Sequence, residues 1–203
     1  MNSMVPAILV VLGLFAAAIP GSAGQVPEAG QGSQPAVARQ SPADDRADML
    51  DRLFARLGKT TSKEEAQTVE QAIWKLWMTS DSPTAELLLA QAVKASAAGD
   101  NETALKILSD LIEVHPEFTE AWNRRATVYY LMGRYPESLA DIDQVLKREP
   151  RHFGALSGLG MIKQKLGDFS AARAAFDDAL AINPNMDSVK QALDQIDREE
   201  RPL

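Results

Sequence analysis

The sequence contains no cysteine and only two histidines among its 203 residues. The missing thiols exclude a disulfide, a thiolate zinc site, an iron–sulfur cluster and a cysteine nucleophile. Two histidines offer little material for a histidine-rich metal site. The net charge of −7 also argues against general nucleic-acid binding, because such binding requires a basic surface that neutralises phosphates. We therefore expect no cofactor and no nucleic-acid partner.

The chain also lacks an apolar run long enough to cross a bilayer. Residues 5–19 form a 15-residue apolar stretch, whereas a spanning helix needs roughly 20 residues. A helix-breaking proline and the small residues Gly21 and Ala23 follow, which is typical of a signal peptide cleaved after Ala23. This pattern predicts a signal peptide at 1–23 and a secreted, periplasmic protein. Because no basic residue precedes Arg39, an uncleaved anchor and a buried N-terminal helix stay open as alternatives.

Residues 24–45 are rich in glycine, proline, glutamine, serine and alanine and show no apolar period. Such a composition buries too little surface to offset the entropy of ordering the chain. The sequence therefore predicts a flexible tether at 24–45.

Two sets of helix-breaking residues recur every 34 residues: Pro116, Pro150 and Pro184, and Gly99, Gly133 and Gly167. A period between about 20 and 50 residues indicates a stacked repeat architecture. The prolines place three repeats at 85–118, 119–152 and 153–186. Each glycine then ends the first helix of its repeat in a left-handed conformation, and each proline stops the second helix.

Large and small residues return at fixed positions of these repeats: Trp122, Ala126 and Ile142 of the second correspond to Leu156, Gly160 and Phe176 of the third, and the second also has the aromatic Tyr129. The pattern resembles tetratricopeptide repeats (TPRs). It departs at Ala95 and Lys163, where the family has an aromatic residue, and at Arg125, where it has leucine. The resemblance implies an all-α fold, a right-handed superhelical solenoid of helix–turn–helix repeats.

Further helices flank the repeats. Apolar residues recur at helical spacing on both sides of a polar turn within residues 46–82. This segment is predicted to be a helical hairpin or a degenerate repeat that caps the stack. Downstream, an apolar stripe opposite a polar face predicts a capping helix at 187–200; the stripe comprises Met186, Val189, Leu193 and Ile196.

In this family the first helix of each repeat lines a concave groove. The resemblance therefore implies eight candidate peptide-binding residues: Leu89, Val93, Asn123, Arg124, Thr127, Tyr130, Met161 and Lys165. Asn123 can bond to a peptide backbone, and Arg124 can bind a carboxylate. The alternative interpretation is that these are ordinary exposed helix positions. Leu89 and Val93 stand where some family members carry a polar clamp for chaperone tails, which disfavours that class of ligand.

No catalytic constellation is present. Carboxylate pairs such as Asp141 and Asp143 have spacings that do not face each other on a helix, and His115 and His152 are interpreted as turn residues. We therefore expect a protein that is not an enzyme and holds no metal.

The chain is also similar to small periplasmic TPR proteins of Gram-negative bacteria, which are linked to cell-envelope integrity. We expect a scaffold or adaptor that binds a peptide or protein in its groove. Residues 122–173 hold 9 basic and 5 acidic side chains, which favours a partner with an acidic patch. The alternatives are an accessory subunit of an envelope enzyme and a small-ligand carrier. No stable membrane span is expected in the mature protein, and an oligomer stays possible.

Overall fold

The computed structural model describes residues 42–200, with side chains from residue 44 onward. The predicted signal peptide and most of the predicted tether lie outside these residues. Within them the chain forms helices and no strand: α1 (Pro42–Leu57), α2 (Lys63–Met78), α3 (Pro83–Ala97), α4 (Asn101–Val114), α5 (Thr119–Leu131), α6 (Tyr135–Arg148), α7 (Phe153–Lys165), α8 (Phe169–Ile182) and α9 (Asp187–Glu199). The prediction of an all-α fold is confirmed.

The middle of the described region is a stack of three helical hairpins. Helices α3 and α4, α5 and α6, and α7 and α8 pack as pairs, and neighbouring pairs meet through α4 with α5 and α6 with α7. Each hairpin shares its apolar side chains with the next, because a single hairpin cannot bury both of its faces. The result is the predicted solenoid of helix–turn–helix repeats.

The turn inside each hairpin depends on one glycine. Gly99, Gly133 and Gly167 have φ angles of 82°, 70° and 76°, the left-handed region that side chains disfavour. At the first turn, the N–H of Gly99 donates to the Ser96 carbonyl, and the next N–H along the chain donates to the Ala95 carbonyl. This pair of hydrogen bonds is a Schellman motif, which satisfies carbonyls at the end of a helix. The predicted role of these glycines is confirmed.

Close packing between α7 and α8 requires a glycine for its small size and not for a left-handed backbone. A Cβ atom added at Gly160 would lie 2.5 Å from ring atoms of Phe176, which is fully buried. A Cβ added at Gly158, on the same helix, would meet only Ile142 Cδ1 at 3.6 Å, an ordinary contact. The small residue at position 160 therefore sets the distance between the two helices.

Helices α1 and α2 form a hairpin, which we call the N-terminal hairpin. Helix α1 begins at Pro42, inside the segment that was predicted to be a tether up to residue 45. Proline is favoured in the first turn of a helix, and the two following aspartates, Asp44 and Asp45, interact well with the helix dipole there. These local signals extend the helix beyond its apolar period, which is why the sequence period alone placed its start too late.

The N-terminal hairpin does not continue the stack by packing on α3. Its apolar core, which includes Leu57, Ile73 and Trp77, joins with Phe153 at the start of α7, and Ile182 at the end of α8 packs against it. Helix α2 also contacts α5. The hairpin thus lies against the turns that precede α7 and α9, and it is not a degenerate repeat stacked in series.

At the other end of the chain, α9 covers the last repeat. Val189 and Ile196 are buried in one cluster with Ala172 and Phe176 of α8. The opposite face of α9 is polar and exposed, which suits the last helix of a solenoid.

Candidate functional site

A cluster of aromatic rings joins the N-terminal hairpin to the repeats. The Trp77 ring stacks on the His152 ring with a centroid separation of 4.0 Å and an interplanar angle of 9°. Trp74 meets the His152 ring edge-on at 5.4 Å and the Phe153 ring at 5.7 Å. Because His152 is fully buried beneath these rings, its side chain is inaccessible to a ligand.

His152 also caps a helix. Its Nδ1 accepts a hydrogen bond from the backbone N–H of Ala155, 3.1 Å away, in the first turn of α7. Since Nδ1 is an acceptor, we assign the imidazole proton to Nε2, which lies 3.3 Å from Glu120 Oε2 and donates to it. The prediction that His152 is a turn residue is confirmed, and its burial and its carboxylate partner are additional findings.

Glu120 is a fully buried carboxylate with several partners. Arg124 Nε lies 2.6 Å from Glu120 Oε1, and Asn123 Nδ2 donates to both carboxylate oxygens at 3.2 and 3.1 Å. The Arg124 guanidinium in turn stacks over the Trp74 ring at 5.4 Å. A buried carboxylate is tolerated when a cation and hydrogen-bond donors surround it. This network therefore holds Asn123 and Arg124 in place.

A hydrogen bond and an ion pair also attach the N-terminal hairpin to the end of the repeats. Asn183 is fully buried and donates to Glu70 Oε2 at 3.1 Å. Lys63 Nζ lies 2.8 Å from Asp187 Oδ2. The hydrogen bond from Lys63, together with its charge, lowers the pKa of the Asp187 carboxyl below its usual value and, in return, raises the pKa of Lys63.

A small cavity opens between α5 and α7, and we call it the inner pocket. Its volume is about 150 Å³. The residues that line it are Asn123, Ala126, Thr127, Tyr130, Ser138, Ile142, Gly154, Ala155, Ser157, Gly158, Met161 and Ile162. Four of the eight candidate binding residues, Asn123, Thr127, Tyr130 and Met161, thus come together around one cavity.

The other four candidates lie elsewhere. Leu89 is only 1% exposed and belongs to the core between α3 and α4, so the prediction that it lines a groove is corrected. Val93 is half-buried and Lys165 is exposed, and neither lines the inner pocket. Arg124 is occupied by Glu120 and covered by Trp74. The family pattern placed these candidates on the first helix of each repeat, but it did not show how deeply each side chain is buried or what covers it.

Gly154 shows why part of the groove is closed. A glycine leaves room beside its backbone for a bulky group. At Gly154 that group is Trp74 of the same chain, since a Cβ atom added there would lie 2.8 Å from Trp74 Cη2. The N-terminal hairpin therefore occupies one end of the groove, and the inner pocket is the part that stays open.

The basic segment at 122–173 is mostly neutralised by ion pairs. Arg125 lies 2.8 Å from the buried Asp141, whose hydrogen bond raises the pKa of the Arg125 guanidinium. Arg151 pairs with Asp51 of α1 at 2.7 Å. Among the nine basic side chains of this segment, all within the described residues, Lys165 is the one without a carboxylate within ion-pair distance. The positive electrostatic field that could attract an acidic partner is therefore weaker than the number of basic residues in this segment indicates.

Two residues that line the inner pocket come from the second helix of a repeat and were not among the candidate binding residues. Ser138 and Ile142 lie on α6, behind the first-helix face, and both are buried. Ser138 Oγ donates to the Ala126 carbonyl at 2.7 Å, which binds α6 to α5. The small residue at this repeat position was the available signal for such a close approach.

Residues 42–200 contain neither a helix that could span a membrane nor a cluster that could hold a metal ion. No helix in this range combines the length and the hydropathy needed to cross a membrane. Nor do three acidic or histidine side chains of these residues gather where they could hold a metal ion.

The fold defines the class of protein, which is a solenoid of paired helices. Comparison with known proteins identifies the family. The tetratricopeptide repeat profile matches residues 125–187, and the profile described as tetratricopeptide repeat protein 21 ARM repeat matches residues 15–134. The chain belongs to the tetratricopeptide repeat family.

Relatives in sequence include a TPR repeat-containing protein of Rhizobium etli, which is 39% identical over 135 residues that cover 66% of each chain. An Hsp70-Hsp90 organizing protein of Triticum aestivum is 30% identical over 49% of this chain and 17% of its own length. The chain thus spans about two thirds of the bacterial relative and a small part of the plant protein.

Solved structures confirm the fold. The first TPR domain of Spaghetti, solved with an HSP90 peptide, has a TM-score of 0.56 and 18% identity over 59% of this chain and 94% of its own. A double mutant of MamA RS-1 has a TM-score of 0.53 and 18% identity over 77% of this chain and 85% of its own.

Proposed function

We propose that the protein is a non-enzymatic scaffold or adaptor of the bacterial periplasm that binds a peptide or protein partner in its concave groove and supports cell-envelope integrity. The observation that carries this proposal is the inner pocket, where Asn123, Thr127, Tyr130 and Met161 converge. Buried hydrogen bonds of Asn123 to Glu120 fix part of its wall in advance. A preformed wall favours binding because less entropy is lost on association.

The pocket suits a single side chain of a larger partner. Its volume of about 150 Å³ is below the range of about 300–1,000 Å³ that is usual for small-molecule sites. Ile142 and Met161 offer apolar contact, while Thr127 and Tyr130 bring hydroxyl groups. We infer that an apolar side chain of the partner enters the pocket and that its neighbouring backbone meets the hydroxyl groups.

The unpaired charge of Lys165 gives a weaker preference for the kind of partner. Lys165 is exposed at the far end of α7 and has no ion pair among the described residues, so an acidic group on the partner would be favoured beside it. The solved TPR domain of Spaghetti carries an HSP90 peptide, but here Leu89 is buried in the core and Val93 offers no polar group. We therefore propose a ligand other than a chaperone tail.

A photo-crosslinking pair tests the binding site. The crosslinker p-benzoylphenylalanine is placed at Met161, which is 36% exposed at the pocket, or at Leu87, which is 58% exposed on α3. In native envelope extract we expect a discrete crosslinked product from position 161 that disappears in a Thr127→Trp background, where the new ring fills the pocket. Equal products from both positions, or a product insensitive to Thr127→Trp, would contradict a pocket-based interaction.

The first residue of the recovered protein tests the proposed periplasmic location. If the segment 1–23 is a signal peptide, the protein recovered from the periplasmic fraction begins at Gly24. Recovery of a chain that still begins at Met1 in the cytoplasmic fraction would reject a periplasmic scaffold. Loss of the gene is expected to raise sensitivity to detergent, which is the measurable sign of a weakened envelope.

A further inference from the structure

Two hydroxyl groups that line the inner pocket have already used their hydrogens inside the protein. Thr127 Oγ1 donates to the Asn123 carbonyl at 3.0 Å, and a carbonyl can only accept, so the hydroxyl proton lies in that bond. The Ser138 hydroxyl is used in the same way, since it donates to the Ala126 carbonyl at 2.7 Å. What these two oxygens can still offer is a lone pair, which makes them acceptors.

The side-chain amide of Asn123 adds a further acceptor, because its orientation is fixed. Its Nδ2 lies 3.2 and 3.1 Å from the two carboxylate oxygens of Glu120. Since a carboxylate accepts hydrogen bonds, the nitrogen and not the oxygen of the amide must face Glu120. Asn123 lines the pocket and Glu120 does not. The Oδ1 atom of Asn123 has no donor among the described residues and is not fully buried, so it can accept a hydrogen bond from a ligand.

The rest of the lining is largely apolar and includes no acidic or basic residue. Ala126, Ile142 and Met161 supply apolar surface, and the hydroxyl groups of Tyr130 and Ser157 can turn either to donate or to accept. A charged donor such as an ammonium group is disfavoured, because no carboxylate of the lining would pair with it. The Tyr130 ring and the Met161 thioether both pack well against an aromatic ring. The pocket therefore favours a neutral, apolar group that donates a hydrogen bond.

Tryptophan is the neutral side chain that meets these requirements, because its indole N–H donates while hydroxyl and carboxamide side chains also bring acceptors of their own. We propose that the partner inserts a tryptophan side chain into the inner pocket and that its indole N–H donates to Thr127 Oγ1. Thr127 is exposed whereas Asn123 is only 7% exposed, so an entering ring reaches Thr127 first and leaves Asn123 Oδ1 for a backbone N–H of the partner. This inference rests on the proposed function, since it names the group that the same pocket binds.

Indole and benzofuran test this assignment as isolated rings. The two molecules have nearly the same shape, but benzofuran carries an oxygen in place of the N–H and cannot donate. The protein is labelled with ¹³C in its methionine methyl groups, and the Met161 signal is assigned from its loss in Met161→Leu. Indole should shift this signal through its ring current, and the dissociation constant of benzofuran should be about threefold to tenfold higher, the contribution of one neutral hydrogen bond. No shift with indole up to its solubility limit, or equal dissociation constants for the two rings, overturns the proposal.

Two variants show whether Thr127 is the acceptor. Thr127→Val keeps the shape of the side chain but removes its oxygen, so indole and benzofuran should then bind with similar dissociation constants. Thr127→Ser retains the hydroxyl group and should retain the preference for indole, and circular dichroism verifies that both variants fold. An unchanged preference in Thr127→Val overturns the assignment.

The crosslinker at position 161 separates this inference from the proposed function. A partner captured in the pocket, together with equal binding of indole and benzofuran, would reject the tryptophan and leave the scaffold proposal standing. Absence of the crosslinked product together with equal binding of the two rings would reject both.

Discussion

Replacing Trp77 by alanine tests whether this side chain holds the N-terminal hairpin on the repeats. Trp77 is 6% exposed and lies in one apolar cluster with Phe54 and Phe153. Burying about 200 Å² of ring surface at about 25 cal/mol per Å² contributes roughly 5 kcal/mol, and truncations of this kind usually cost about 3–5 kcal/mol. We therefore expect Trp77→Ala to lower the free energy of unfolding by about 3–5 kcal/mol.

Urea denaturation followed by far-ultraviolet circular dichroism measures this loss, and hydrogen exchange locates it. Backbone amides of α1 and α2 should exchange faster in the variant, while those of α4 and α6 keep most of their protection. Leu87→Ala, at a side chain that is 58% exposed, is the matched control and should change stability by less than about 0.5 kcal/mol. A loss below about 1 kcal/mol for Trp77→Ala, against the figure expected for a buried ring, would refute the packing described here.

Further substitutions give distinct outcomes. Gly160→Ala should lower the free energy of unfolding by about 1–3 kcal/mol, because the added methyl group overlaps a buried ring; Gly158→Ala should raise it by up to about 1 kcal/mol through helix propensity. Arg124→Glu should lower it by about 3 kcal/mol, because the buried Glu120 loses its cation and gains a like charge. The pKa of the Asp187 carboxyl is lower in the folded protein than in the unfolded chain. The ion pair therefore stabilises the fold above the usual pKa of about 3.9, and this stabilisation is lost as the pH falls through the folded pKa. Wild type should therefore exceed Asp187→Asn in stability at neutral pH and converge with it in acid. Urea denaturation measures each difference.

Matched variants control these comparisons. Lys63→Met should show the same convergence in acid as Asp187→Asn, because the two residues act as one ion pair. Combining Arg124→Met with Glu120→Gln should recover most of the stability lost in Arg124→Glu. Equal stabilities of the two glycine variants, or an Arg124→Glu protein as stable as wild type, would contradict the contacts on which these expectations rest.

The Glu120 network changes how the groove should be tested. From sequence alone, reversing the charge of Arg124 is the natural way to weaken an interaction with an acidic partner. In the structure Arg124 belongs to a buried ion pair, so that reversal disturbs the fold as well as any binding. Substitutions at Thr127 or Met161, which are exposed at the inner pocket, separate binding from stability.

The N-terminal hairpin also limits the ligand. Trp74 covers Arg124, one of the candidate groove residues, and fills the space beside Gly154. A partner therefore meets a shorter groove than an uncovered stack of three repeats would offer.

The sequence by itself determined the repeats. Glycine at 99, 133 and 167 and proline at 116, 150 and 184 act on their own backbone, so their effect can be read without knowing what lies nearby. The apolar period likewise fixed which face of each helix enters the core. These are local properties, and for that reason the helices, their turns and the solenoid could be predicted.

Only the tertiary structure decided where the N-terminal hairpin lies. The stacking of Trp77 on His152 joins residues 75 positions apart, and the pair of Lys63 with Asp187 spans 124. No local period encodes such contacts, because they depend on which surfaces fit together once the helices exist. The same reason explains why the space beside Gly154 belongs to a tryptophan of the same chain. Leu89 differs, because it packs within the core of its own hairpin, and the family pattern did not show how deeply that position is buried.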